Sequence, residues 1–314
     1  MTQLPERDLP PGRHLLLKEH LMTETRRTPA TAPSRKRLRP VLLAGAVAAA
    51  AAVTVALPPT PDDPFVPPVA NASPGVVQLL EDAALAAEHS ELRVDGDQFT
   101  YVRSKSAYGI TSHACTPVTA GPLQTRELWK SVDGASEGLL ISTELGRLPI
   151  EGDSDPEPTD QNYDNLRKLP TDPDKMLAWL YKHKEGEGRP DADLAFDLAV
   201  QLLIESVMPP KTSAALYRAM AKIPGVVLVN DSVDAVGRHG TAVGFVHSDA
   251  HGASRQEMIF DPKTWKLLGE RDVVLKDSRT NPGEVCDGII KAGSVQATSA
   301  ILERAIVDKP GQRP

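Results

Sequence analysis

Residues 41–57 read VLLAGAVAAAAAVTVAL, 17 positions without a charge, and they divide everything else in the chain. A helix rises about 1.5 Å per residue, so this stretch spans about 26 Å, close to the roughly 30 Å of a bilayer's hydrocarbon core. Arg35, Lys36, Arg37 and Arg39 stand just before it, and Pro58 and Pro59 follow. A basic flank on the N-terminal side keeps that end in the cytoplasm by the positive-inside rule. The expectation is an uncleaved signal-anchor helix. The alternative is a cleaved signal peptide, with Val69-Ala70-Asn71-Ala72 as an A-x-A-like site.

Charge follows the same division. Residues 1–40 sum to +5, and the rest of the chain to −12 within the overall −7. The basic arm lacks interleaved aromatic residues and abuts the apolar stretch, so it reads as a topology signal and nucleic acid is not an expected partner. Within the arm, Leu15, Leu16, Leu17, Leu21 and Met22 form a short amphipathic patch. It is too short to be a stable helix alone, and Leu17 and Leu21 are the candidate contacts for a cytoplasmic protein partner.

The expected layout is a cytoplasmic tail at 1–40, a membrane anchor at 41–57, a Pro-rich spacer at 58–72, an exported domain at 73–305 and a disordered tail at 306–314. Aromatic residues make up only 4%, so the exported core must be built from Val, Leu, Ile and Ala. Ser73-Pro74 signals a helix start, and Val76, Val77, Leu80, Ala83, Ala84 and Ala87 recur at helical spacing. Alternating runs at 98–103, 125–132 and 139–143 predict strands, with Asp133-Gly134 as a hairpin turn. A three-helix block is predicted over 172–222, with Thr171 and Asp174 resembling a capping box. Strands return at 226–230, 240–247, 256–260, 265–275 and 294–304. This order predicts an α+β fold, with an antiparallel curved, half-barrel-like sheet flanked by three helices and preceded by the membrane helix.

No chemistry stands out. Gly134-Ala135-Ser136-Glu137-Gly138 matches G-x-S-x-G, but a strand follows where a nucleophile elbow needs a helix. His247 and His251 fall in an expected loop without a third ligand, so they read as solvated. Asp153, Asp155, Glu157 and Asp164 occupy calcium-loop positions, but Pro158 replaces the turn glycine. No P-loop, dinucleotide fingerprint or zincin motif is present. No catalytic, cofactor-binding or metal-ligating set is assigned, and an enzyme is not expected. The two cysteines, Cys115 and Cys286, both follow the anchor and form a candidate disulfide in an oxidising compartment.

Several stretches carry a resemblance. Ile223-Pro224-Gly225-Val226, Asp234-Ala235-Val236-Gly237-Arg238-His239-Gly240, Ile259-Phe260-Asp261-Pro262-Lys263-Thr264 and Glu127-Leu128-Trp129-Lys130-Ser131 are four of them. Together with His14-Leu15-Leu16-Leu17-Lys18-Glu19-His20-Leu21-Met22, they resemble a family of uncharacterised actinobacterial single-pass membrane proteins. Those proteins are often encoded beside extracytoplasmic-function sigma factors. The element order is also similar to lipoprotein-carrier and sigma-regulator sensor half-barrels. The resemblance implies a non-enzymatic envelope protein whose exported domain binds a ligand or protein and regulates a cytoplasmic sigma factor. The alternative it implies is a carrier of an apolar, lipid-like ligand.

Overall fold

A computed structural model describes residues 72–109, 120–153, 155–186, 188–249, 252–280 and 288–314. The chain enters through helix α1 (Pro74–Glu88), with Ser73 at its N-cap as expected. Val76, Leu80, Ala83 and Ala84 face inward, whereas Val77 is 46% exposed. Four strands follow: β1 (Phe99–Tyr108), β2 (Gln124–Ser131), β3 (Gly138–Ser142) and β4 (Gly146–Ile150). The β2–β3 connection is the hairpin that Asp133-Gly134 predicts. Gly134 adopts a φ of 81°, and the Asp133 carboxylate accepts from the amides of Ala135 and Ser136.

A short helix α2 (Tyr163–Leu166) leads into α3 (Pro173–His183), α4 (Asp191–Ile204) and α5 (Pro210–Met220). The N-cap of α3 is Asp172, not Thr171. Its Oδ1 accepts from the amides of Asp174 and Lys175 at 3.1 and 3.0 Å, and Pro173 fills the first helical position, where no amide is needed. Asp172→Ala should therefore lower stability by about 1 kcal/mol in urea denaturation.

The second half is a meander: β5 (Val226–Val233), β6 (His239–Asp249), β7 (Gly252–Phe260) and β8 (Leu267–Val274). A small hairpin of β9 (Ser278–Thr280) and β10 (Gly288–Ile290) precedes the long closing strand β11 (Val295–Val307). β11 inserts between the two halves, and the large sheet runs β4-β3-β2-β1-β11-β8-β7-β6-β5. Every pairing in it is antiparallel.

Side chains alternate across a strand, so the sheet has two distinct faces. On one, Val226, Val243, Phe245, Met258, Phe260 and Ile301 pack beneath the helices against Leu80, Leu180, Leu216 and Met220. Burying each such side chain is worth about 1.5–3 kcal/mol. On the other face lie two smaller clusters, Phe99, Tyr101, Trp129, Leu139 and Val307 in one, and Ala242, Ile259 and Leu268 in the other.

The sheet is open and does not form the half-barrel expected from sequence. Its edges are blunted. β4 carries Pro149 at the margin of the sheet, and β5 breaks register between Val229 and Ser232 with Asn230 and Asp231 exposed. Prolines and bulges at edges discourage further pairing, so neither margin is prepared to curl round and close.

The membrane helix of the expected fold also needs correction. Among the described residues no helix is long and apolar enough to cross a membrane. Residues 41–57, with the tail at 1–40 and its Leu17 and Leu21, lie outside the described residues, as do Cys115 and Cys286. The single-pass topology with a cytoplasmic N-terminus and an extracytoplasmic body is not carried forward, nor is the disulfide. The expected disordered tail is different too. β11 continues through Val307, which is 2% exposed, and residues 308–314 are hydrogen-bonded to the sheet through Trp129 and Glu127.

Candidate functional site: an acidic recess on the helix-bearing face

The helices cover only part of their face of the sheet. Where they stop, the inward-facing positions of five strands turn polar. In β8 these are Glu270 and Asp272. Opposite them on β7 stand Met258 and Gln256, and beyond β11 comes Tyr108 on β1, which pairs with Ala297. Arg126 lies on β2 and His247 on β6, beside the core residue Phe245. From above, α4 contributes Asp193 and Asp197, and its C-cap is Glu205. Residues far apart in sequence thus converge on one recess.

The charges there fall into two groups. In the first, each charged side chain has an ion-pair or hydrogen-bond partner, although Arg126 Nε is buried without one. Arg189 donates from Nε to Asp193 Oδ2 at 2.9 Å and from Nη1 to Asp197 Oδ2 at 3.1 Å, and His247 Nδ1 meets Asp193 Oδ1. Burial alone would raise the Asp193 carboxyl, but the hydrogen bonds from His247 and Arg189 outweigh it and hold the group below its ordinary range. Arg126 Nη1 reaches Glu205 Oε1 at 3.0 Å. Lys130 donates to Gln161 Oε1 at 3.3 Å, and burial lowers its ammonium pKa.

The second group forms no ion pair among the described residues. Glu270 accepts one long hydrogen bond, 3.5 Å from Gln256 Nε2. Burial, joined by the charges of Asp197, Glu205 and Asp272, pushes its carboxyl up to about 7. Asp272 is raised as well, chiefly by burial, although a hydrogen bond from Ser254 and the charge of His247 work against the rise. Asp272 Oδ1 and Gln256 Oε1 are both buried without a hydrogen-bond partner. Two neighbouring carboxyl groups on one strand face, both raised above their ordinary range by burial, are unusual in a structural network.

Of the residues singled out from sequence, His247 lies in the recess, and the other described ones lie elsewhere. Ser136 is exposed in the β2–β3 hairpin with no helix after it, so the G-x-S-x-G match is a turn. Among the described residues no group of three or more His, Cys, Asp or Glu side chains could hold a metal ion. The acidic loop before α2 is instead tied down internally, with Asn165 Nδ2 donating to the carbonyls of Glu157 and Asp160. His247 is not a loop residue; it belongs to β6 and is locked to α4, while His251 lies outside the described residues. Glu270, Asp272, Gln256 and Tyr108 were not singled out. Their only sequence signal is polarity at positions where a half-buried strand should be apolar.

A separate cavity of about 420 Å³ lies between α1, α5 and β8. It is the space the apolar-carrier reading requires. Beside Ala83, Ala87, Tyr217 and Ile301 it is lined by Arg238 and Arg304, so its wall is not the continuous apolar surface that a lipid chain requires. Arg304 is itself structural, since its Nη2 donates to the carbonyls of Leu203 and Ile204 and ties the C-terminal end of α4 to the sheet.

The chain matches no protein-family model and no curated protein. The resemblance to the actinobacterial membrane family is therefore withdrawn, and with it the sigma-factor regulation, the envelope location and the apolar ligand that it implied. Its motifs are accounted for as local geometry. Gly225 takes a φ of 92° and a Cβ there would lie 3.2 Å from Phe245. Asp261 Oδ1 accepts from the amides of Lys263 and Thr264 to shape the β7–β8 turn. Any stable meander with these turns would select similar residues.

Proposed function

We propose that this domain is a non-enzymatic receptor for a small organic dication, held in the acidic recess and released on acidification. The observation that carries the reading is the pair Glu270 and Asp272, two residues apart on one face of β8 and in no ion pair among the described residues. Residues i and i+2 of a strand are about 7 Å apart, a spacing suited to the two ammonium groups of a four-carbon diamine. Bound cations would favour the ionised form of both carboxyls, so binding at neutral pH would release protons. The paired set, Arg189 with Asp193 and Asp197, and Arg126 with Glu205, would hold the walls in place.

Titration calorimetry with 1,4-diaminobutane tests this. Binding is expected at pH 8, with at least tenfold loss by pH 5.5 as Glu270 protonates. At pH 7 the heat should vary with buffer ionisation enthalpy because protons are released. Glu270→Gln should weaken binding at least tenfold at pH 8 and flatten the pH dependence. Wild-type protein that gives no saturable heat, or Glu270→Gln that binds as tightly as wild type, rules the reading out.

A further inference from the structure

The face of the sheet opposite the helices carries a second constellation, independent of the recess. Three neighbouring side chains on β1 and β2 form a socket. Trp129 is fully buried and its ring lies 5.0 Å from that of Tyr101. The Tyr101 hydroxyl donates to Glu127 Oε1 at 2.7 Å, and Glu127 is only 6% exposed. A buried carboxylate needs a cation and a buried indole N–H needs an acceptor; from β1 the carboxylate receives the Tyr101 hydroxyl. The indole's acceptor and the carboxylate's bidentate cation come from residues 308–314. The Trp129 indole donates to the Gln312 carbonyl at 2.6 Å, and Arg313 forks onto Glu127 through Nε and Nη2 at 2.7 and 2.6 Å.

The way these residues sit resembles a docked peptide more than a core element. They form a single turn, with Gln312 N donating to the Lys309 carbonyl and Gly311 at a φ of 83°. Gln98 adds a hydrogen bond to Asp308. The Arg313 side chain is 65% exposed while the carboxylate that it grips is 8% exposed. The receiving groups are thus built into the sheet, and the occupant lies on top of it. The Arg313 hydrogen bonds hold Glu127 below the ordinary carboxylate range despite its burial, so the occupied socket pairs an ionised carboxylate with the guanidinium.

We infer that Tyr101, Glu127 and Trp129 form an arginine-reading peptide site, which the chain's own residues 308–314 occupy in cis. Its ligand is a short peptide with a glycine turn, a free backbone carbonyl for the indole, and an arginine directly after it. Lysine would not replace that arginine, because a single ammonium cannot make the paired hydrogen bonds.

The test uses the full chain and a fluorescein-labelled peptide, DKPGQRP, read by fluorescence anisotropy. Wild type should bind weakly, since its site is filled. The Arg313→Ala chain should bind at least tenfold more tightly, and adding Glu127→Gln to it should reverse the gain. A peptide with lysine in place of arginine should bind at least fivefold more weakly. Equal binding by wild type and Arg313→Ala overturns the inference, as does binding indifferent to Glu127→Gln. Thermal unfolding is followed in parallel. If Arg313→Ala abolishes the cooperative transition, residues 308–314 are part of the core rather than an occupant, which overturns it equally.

Discussion

Glu257→Ala should lower stability by about 3–5 kcal/mol, the range for removing one partner of a buried ion pair. Glu257 lies in the middle of β7 on the face away from the helices and is fully buried. Its Oε1 accepts from Arg255 Nε and Nη2 at 2.8 and 2.6 Å, and its Oε2 from Arg271 Nε at 2.7 Å and the Ser232 hydroxyl at 2.6 Å. One carboxylate thus satisfies donors on three strands. Gly244, across from it on β6, leaves room for the Arg255 stem, since a Cβ there would sit 3.1 Å from Arg255 Cγ and Cδ. Truncation strands two guanidinium groups and a hydroxyl against one another. The triple change Glu257→Met, Arg255→Met and Arg271→Leu should cost less than Glu257→Ala alone, because it removes the charges together with their desolvation. Urea denaturation of both variants decides the matter. A loss below about 1 kcal/mol for Glu257→Ala would show that water reaches the network and that the three-strand tie is weak.

The fold was legible in sequence wherever one periodicity persisted. Leu80, Ala83 and Ala84 on α1, and Met176 and Leu180 on α3, lie where helical spacing puts them. The strands expected at 226–230, 240–247 and 256–260 fall within β5, β6 and β7. Closure of the sheet was not legible, because it depends on edge behaviour at Pro149 and at the β5 bulge and not on the alternation itself. The recess was hidden for a sharper reason. Between β7 and β8 the register shifts at Ile259/Phe260, so Leu267 faces the helices, Leu268 faces away, and the parity of the strand inverts. Counting from Leu267 at period two assigns Glu270 and Asp272 to the far face. The extra residue brings them beneath α4 instead. A one-residue offset moves every later side chain to the other face. A second shift on β11, at Arg103/Ser104 of its partner β1, does the same for Ser299, which lies next to Glu270 and whose hydroxyl accepts the Glu270 amide at 3.2 Å. Both inversions arise from single bulges, which leave no periodic trace.

Those inversions place a carboxyl where the fold is the worse for it, and the consequence is measurable as stability against pH. Glu270 has its folded pKa raised from 4.5 to about 7. Its neutral form is therefore the one that the folded state tolerates. The associated stability is fully present below about pH 4.5 and is lost as pH rises through about 7, the reverse of an ordinary ion-paired carboxylate. A shift of this size corresponds to about 3 kcal/mol at most. Asp272 adds to the loss in the same direction. Glu270→Gln keeps the shape and the contact with Gln256 but cannot ionise. At pH 8 it should be more stable than wild type by about 1–3 kcal/mol, and at pH 4 it should be indistinguishable from it. Denaturation midpoints across this range provide the check; a variant less stable than wild type at pH 8 would mean that the ionised Glu270 is compensated after all. Most substitutions at partly buried positions destabilise, so a gain here identifies a residue retained at a cost in stability. Such a trade is expected of a group kept for binding and not for packing. It also separates the two carboxylates on β7 and β8. Removing Glu257 should weaken the fold because its charge is matched on all sides. Neutralising Glu270 should strengthen it because its charge has no match among the described residues, and 1,4-diaminobutane should recover that same stability in the wild-type protein by binding the ionised form.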